Sequence, residues 1–236
     1  MKIIISWAVI YFSITLSSAF LHQCGHGLGA RLDGIHVSTG FAMTGDPDKK
    51  PSDLDFRSEI PMIGRLSSAG LLGPFTNWIL AIASLFLLMG LKKENPMILW
   101  VAASAIGNAG IRIVPVARFL ITAVRGGKLF LDDEATWALA SNSNLNFPMS
   151  FQQLDVLAGS QPQLLTANPA IYFWPVVSLL ISLIVLWKSY RKSLLLLDLK
   201  LSNRTQQVVF VAVPFFMGPV VFGVAIWLDE IFRINW

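Results

Sequence analysis

"AGLLGPFTNWILAIASLFLLMG", residues 69–90, carries no charged side chain over its whole length. An α-helix needs about 20 apolar residues to cross the hydrocarbon core of a bilayer, which is roughly 30 Å thick. The stretch is therefore long enough and apolar enough to form a transmembrane helix. Three other uncharged runs of similar length share this property: Ile3–Leu21, Pro169–Trp187 and Val208–Leu228. This repetition predicts a protein that crosses a membrane several times.

The composition supports the same prediction. Hydrophobic residues make up 54% of the chain and charged residues 14%, whereas soluble globular proteins average about 25% charged residues. The net charge of +4 does not indicate nucleic-acid binding, because the basic residues are scattered or lie at the ends of apolar runs. A single cysteine, Cys24, excludes a framework of internal disulfides.

A fifth apolar run, Pro96–Val124, is long enough to span but contains Asn108, Arg112 and Arg118. Ionisable groups are costly inside a membrane, so they are expected to face the interior of a helix bundle or a water-filled cavity. Alternatively, Arg118 marks the membrane edge and the span ends there. The fold class predicted is an all-α polytopic membrane protein with about five or six transmembrane helices. It is expected to be a multi-pass integral membrane protein, of the plasma or inner membrane if the source is prokaryotic.

The first run also fits a secretory signal peptide, because it has a basic start, an apolar centre and a small-residue end at Ala19. However, the apolar pattern continues beyond Ala19 as far as Ala30. A retained first helix is therefore the preferred interpretation. It carries His22 and His26 on its last turns.

His22 and His26 are four residues apart and project from the same face of a helix. Two imidazoles in this arrangement can bind one zinc ion and leave further ligands to come from elsewhere. Glycines at positions 25, 27 and 29, on the same turns, would let another backbone, helix or substrate approach closely. Ordinary small-residue helix packing is the alternative explanation.

At this point the chain resembles the site-2 protease family of intramembrane zinc metallopeptidases. "HQCGHGLGARLDGIHVSTGF", residues 22–41, is similar to that family's His-Glu-x-x-His-like opening motif. "AGLLGPFTNWILA", residues 69–81, is similar to its Gly-Pro-x-x-Asn helix start, with Gly73, Pro74 and Asn77 in the matching positions. The resemblance implies that Asn77 contacts a substrate carbonyl or the developing oxyanion. An interhelical hydrogen bond is the alternative role for Asn77.

The third motif of the family supplies the last zinc ligand as an aspartate. "LFLDDEATWALA", residues 129–140, offers Asp133, with Asp132 as the alternate. The resemblance thus implies a Zn²⁺ site formed by His22, His26 and one of these two carboxylates. A solvated acidic helix start is the alternative, because Asp and Glu favour the first turn of a helix.

Gln23 stands where the family has its general-base glutamate. An amide has no titratable oxygen near neutral pH and cannot take a proton from the attacking water. The resemblance therefore implies an intramembrane zinc metalloprotease architecture that acts on membrane-embedded protein substrates, and Gln23 predicts that it cleaves them poorly or not at all. The residue arose either as a natural pseudoprotease feature or as a substitution that traps the enzyme.

Two other functions remain open at this level. The first alternative is a non-catalytic pseudoprotease that binds or chaperones membrane proteins. The second is a small metal or solute transporter in which His22, His26 and His36 line the transport path. The expected partners are a membrane-embedded protein and the lipid bilayer, with no nucleic acid and no prediction of oligomeric state.

Two assignments concern organisation. Residues 1–140 are predicted to form the metalloprotease-like core, and residues 141–236 to add a loop and two further transmembrane helices. The loosely alternating segment Ile35–Phe41 could form a short membrane-associated edge strand that accepts an extended substrate by strand addition. An ordinary surface loop is the alternative for that segment.

Overall fold

The computed structural model describes residues 2–62, 68–93, 95–142, 145, 149–198, 201 and 203–236. Within these residues, five helical segments are long and apolar enough to cross a membrane. They are α1 (Lys2–Leu32), α2 (Ser68–Gly90), α3 (Ile98–Arg125), Pro169–Leu196 and Arg204–Asp229. The chain is therefore an all-α polytopic membrane protein, as predicted from the uncharged runs.

Helix α1 runs without interruption past Ala19 and ends at Leu32. His22 and His26 lie on this single helix, as the continued apolar pattern predicted. Helix α2 already includes Ser68, so Pro74 lies inside the helix rather than at its first position.

The stretch 125–168, in which the sequence shows little periodicity, contains three short helices. They are α4 (Asp133–Asn142), α5 (Phe151–Ser160) and α6 (Pro162–Thr166), followed by a 3-10 turn at Pro169–Tyr172. Helix α5 starts with a capping box, in which Ser150 and Gln153 each bond the other's backbone N–H. The segment packs on Phe119 of α3 through an apolar cluster. Its other buried members are Leu129, Ala135, Leu139, Leu154, Ala158, Leu165 and Ile171.

Helices α7 (Phe173–Leu196) and α8 (Arg204–Asp229) complete the bundle. Helix α7 packs against α2 and α3, and α8 packs against α1. Trp7 of α1 stacks on Phe210 of α8 at a ring distance of 4.4 Å and donates its indole N–H to the Phe210 carbonyl. Helices from both predicted segments thus share one bundle, and the division at residue 140 stays a prediction.

Small residues set the close approach of α1 to α2. A Cβ at Gly25 would lie 2.5 Å from the Leu72 carbonyl oxygen, and a Cβ at Gly29 would overlap the Ser68 backbone. Since any side chain at these two positions would collide with backbone, glycine is what allows the helices to meet here. This contact brings the start of α2 beside the turn that carries His26.

Two small antiparallel sheets lie among the described residues. Strand β1 (Ser38–Thr39) pairs with β2 (Thr44–Gly45) on one side and with β5 (Ile234–Asn235) on the other. Strands β3 (Pro61–Met62) and β4 (Met149–Ser150) form the second sheet. The predicted strand within Ile35–Phe41 exists, but the prediction that it is an edge strand is wrong. A segment almost 200 positions further along the chain covers its second edge, as the register Thr39 to Ile234 shows.

Candidate metal centre

Three side chains from two distant parts of the chain converge at one point. Nε2 of His22 lies 3.1 Å from Nε2 of His26, and Oδ2 of Asp133 lies 3.4 Å and 3.6 Å from these two nitrogens. The two histidine side chains are 7% and 14% exposed and the aspartate is 34% exposed. This group could hold a metal ion.

The dimensions of this triangle suit a small tetrahedral ion. Donor atoms that each lie about 2.0–2.1 Å from a tetrahedral centre are separated by roughly 3.3 Å. The three observed separations bracket that value. A tetrahedral ion bound by these three residues would have one coordination position left for a further ligand.

The orientation of His26 is set by the start of α2. Its Nδ1 donates to the Ala69 carbonyl at 2.5 Å, which leaves the Nε2 lone pair directed at the group. Metal-binding histidines usually have such a backbone or carboxylate partner on the second nitrogen, because it fixes both the tautomer and the ring plane. Gly73, the first residue of the Gly-Pro-x-x-Asn motif, lies against the face of the same ring.

Replacing Gly73 by Ala is expected to weaken metal binding. The new Cβ would lie 2.6 Å from His26 Cδ2, so the ring would have to turn away from Ala69. Loss of such a supporting contact typically lowers metal affinity roughly 10- to 100-fold. Isothermal titration with Zn²⁺ measures the change. Gly70→Ala is the matched control, because a Cβ there meets Trp137 at an ordinary 3.5 Å; equal affinities for the two variants would contradict the prediction.

The two candidate aspartates have different roles at the start of α4. Asp133 is the first residue of the helix and reaches both histidines. Asp132 precedes the helix, and its Oδ1 accepts the Ala135 N–H at 2.6 Å, which is the position and contact of an N-cap. The structure therefore brings Asp133 to the histidines, and Asp132 caps the helix that carries it.

The two carboxyl groups also differ in their electrostatics. Burial, followed by the nearby charge of Glu134, raises the pKa of Asp132 to about 8. Burial acts in the same direction on Asp133, but His26, His22 and Arg112 together outweigh it and hold the pKa of Asp133 well below its usual range. Asp133 is thus the carboxyl group that is ionised and directed at the two imidazoles.

Arg112 of α3 is buried in the bundle interior, as one of the two interpretations of the fifth run required. Its guanidinium makes a two-point ion pair with Glu134, and its Nη1 donates to Asp133 Oδ2 at 3.0 Å. Glu134 in turn accepts the Ser178 hydroxyl at 2.6 Å. Arg118, the other arginine of the run, lies over the Phe130 ring at 4.0 Å, and α3 continues past it.

Gln23 points to the hairpin formed by β1 and β2. Its Nε2 donates to the Ala42 carbonyl at 3.0 Å, and its Oε1 accepts the Thr44 hydroxyl at 2.8 Å. The Ala42 carbonyl can only accept, so this contact requires the amide nitrogen on that side. A glutamate in the same place would have no proton to donate to Ala42 while ionised.

Asn77 is fully buried, and its amide N–H donates to Asn108 Oδ1 at 2.8 Å across α2 and α3. Asn108 continues the chain of contacts to Ser18 of α1 at 3.0 Å. Asn77 therefore makes the interhelical hydrogen bond that was the alternative to a substrate contact. Its Oδ1 has no partner among the described residues, and its predicted role in contacting substrate stays a prediction.

The hairpin beside Gln23 is held by residues that the sequence patterns did not single out. Asp229, at the end of α8, is buried and accepts the N–H groups of Phe41 and Ala42. Arg233 donates to the carbonyls of Ser38 and Met43. The one available signal was an aspartate directly after the uncharged run Val208–Leu228.

The remaining candidates lie outside the group. His36 is exposed, and its Nδ1 lies 3.4 Å from the Trp236 carbonyl oxygen. Cys24 is not among the residues whose ligand atoms come together.

Comparison with known proteins adds no relative. The chain matches no protein-family model, no curated protein and no solved structure. The resemblance to site-2 proteases stays a prediction that depends on three motifs.

Proposed function

We propose that this chain is a membrane metalloprotein with the architecture of an intramembrane zinc metallopeptidase, in which Gln23 replaces the general base. The observation that carries the proposal is the triangle formed by His22, His26 and Asp133, whose 3.1–3.6 Å edges suit zinc. Two of the three residues, His22 and His26, lie on a helix that could span a membrane, which supports a substrate embedded in the bilayer.

Each residue of the site has a part in this proposal. His22, His26 and Asp133 would hold Zn²⁺, which would supply a Lewis acid that activates water and polarises a peptide carbonyl. Arg112 orients the Asp133 carboxylate, and Ala69 orients His26. The Gln23 amide cannot take a proton from the attacking water. The chain is therefore proposed to hold its substrate and cleave it poorly or not at all.

A non-catalytic pseudoprotease that binds or chaperones membrane proteins is the second candidate. The contacts of Gln23 favour it, because the amide both donates to Ala42 and accepts from Thr44. Both hydrogen bonds use the amide group, which favours glutamine as the residue that this fold requires at position 23. The transporter hypothesis gains no support from His36, which is exposed and lies apart from the other two histidines.

The test is a metal analysis of the full chain purified in detergent. Inductively coupled plasma mass spectrometry is expected to find one zinc ion per chain in the unaltered protein and little in His26→Ala. His36→Ala is the matched control and should keep its zinc, because His36 lies outside the group. No stoichiometric metal in the unaltered chain would refute the proposal, and tightly bound iron would refute zinc, because two histidines and one carboxylate also suit Fe²⁺.

A further inference from the structure

One oxygen atom is shared between the candidate metal centre and a buried arginine. Asp133 Oδ2, which approaches both histidines, also accepts Nη1 of Arg112 at 3.0 Å. The other two nitrogens of the same guanidinium donate to Glu134, with Nε bonded to Oε1 at 3.0 Å and Nη2 bonded to Oε2. Arg112 therefore divides its donors unequally between two neighbouring carboxylates.

Arg112 supports Asp133 through a hydrogen bond, but it also competes with the metal for the Asp133 carboxylate. A guanidinium is the preferred bidentate partner of a carboxylate, and if it engaged Asp133 with two donors it would occupy lone pairs that a metal needs. Its positive charge also opposes a dication nearby, and the opposition is strong where water is excluded. Both Arg112 and Glu134 have side chains that are 2% exposed, so solvent screens little of this charge.

Glu134 is itself fixed from the opposite side. The Ser178 hydroxyl of α7 donates to Glu134 Oε1 at 2.6 Å. The indole N–H of Trp78 on α2 donates to Ser178 Oγ at 3.1 Å. Helices α2 and α7 thus hold Glu134 in the orientation that grips Arg112.

We propose that Glu134 is a positioning residue of the metal centre. It neutralises Arg112 and holds two of its donors, so that Asp133 receives a single orienting hydrogen bond and stays available to the metal. This inference depends on the proposed metal-binding function and adds to it the residue that sets the affinity. The sequence motifs that predicted the metal ligands do not include this role for Glu134.

The inference is tested by titrating full-length protein in detergent with Co²⁺ and following the d–d absorption bands. Glu134→Gln is expected to raise the Co²⁺ dissociation constant roughly 10- to 100-fold, as loss of supporting groups around metal ligands typically does. Its spectrum should approach that of Asp133→Asn, because Arg112 then draws Asp133 away from the metal. A purely structural role would not shift the spectrum toward that of one particular ligand variant.

The double variant Arg112→Gln/Glu134→Gln separates competition from a damaged fold. It removes the competing charge together with its partner, so most of the lost affinity should return. Ser178→Ala is the matched control, since it deletes one hydrogen bond to Glu134 and leaves the Arg112 contacts in place. It should lose less affinity than Glu134→Gln.

Unchanged affinity in Glu134→Gln would overturn the inference, and so would a double variant that binds as weakly as the single one. If Glu134→Gln does not fold, Glu134→Asp withdraws the carboxylate by one methylene group and should also bind Co²⁺ more weakly; unchanged binding would again overturn the inference. Failure of the unaltered chain to bind any metal refutes the proposed function instead, which keeps the two results distinguishable.

Discussion

Replacing Gln23 by Glu is expected to raise zinc-dependent cleavage of a membrane-embedded peptide roughly 10²- to 10⁴-fold over the unaltered chain, which is the usual contribution of a general base. The carboxylate would be released from the hairpin, because it cannot donate to the Ala42 carbonyl as the amide does. It would then be free to turn toward the metal centre, since Gln23 is next to His22 on α1. Cleavage is measured with purified protein and a peptide substrate reconstituted in the same vesicles.

Gln23→Ala is the matched control for this experiment. It also removes the contacts to Ala42 and Thr44, but it supplies no base, so it should loosen the hairpin without producing cleavage. Chelation of the metal should abolish any activity gained by Gln23→Glu. A Gln23→Glu protein that binds zinc and stays inactive would contradict the protease proposal and favour the pseudoprotease.

The membrane-spanning helices could be predicted from the sequence because their signal is local. A run such as residues 69–90 must bury its backbone polar groups internally in lipid, and only a helix of that length does so within one segment. The structure places a helix over each of the five predicted runs. The continuation of α1 beyond Ala19 could also be predicted, because the helical pattern runs on to Ala30; the helix ends two residues later, at Leu32.

The metal group was only partly accessible to sequence reasoning. His22 and His26 are related by one helical period, so their spacing alone places them on one face. Asp132 and Asp133 are adjacent and chemically alike, and their difference arises from tertiary contacts. One caps α4 through Ala135, and the other follows the helix direction toward the histidines.

The buried charges could not have been paired from sequence. Arg112 and Glu134 lie on different helices, and the partner of an intramembrane arginine is set by how α3 and α4 pack. The same holds for Asp229, which contacts a hairpin 187 positions away along the chain. Long-range contacts of this kind follow from packing geometry, for which residue spacing carries no signal.

Replacing Arg112 alone by Gln is expected to destabilise the folded protein by about 3–5 kcal/mol, because it leaves a buried charge without its partner. Of the contacts described for Glu134, the Ser178 hydroxyl would remain, and a single neutral hydrogen bond does not offset the desolvation of a carboxylate that is 2% exposed. The double variant Arg112→Gln/Glu134→Gln should be far closer to the unaltered protein, since two neutral amides can bond each other in the same space. Unfolding by sodium dodecyl sulfate in mixed micelles, followed by tryptophan fluorescence, measures the stability of both variants.

A single variant as stable as the unaltered chain would mean that the ion pair contributes nothing to the fold. A double variant as unstable as the single one would mean that lost packing rather than unpaired charge is responsible. The expected order, with the single variant least stable, would show that the buried charges of Arg112 and Glu134 are tolerated in the fold because each compensates the other.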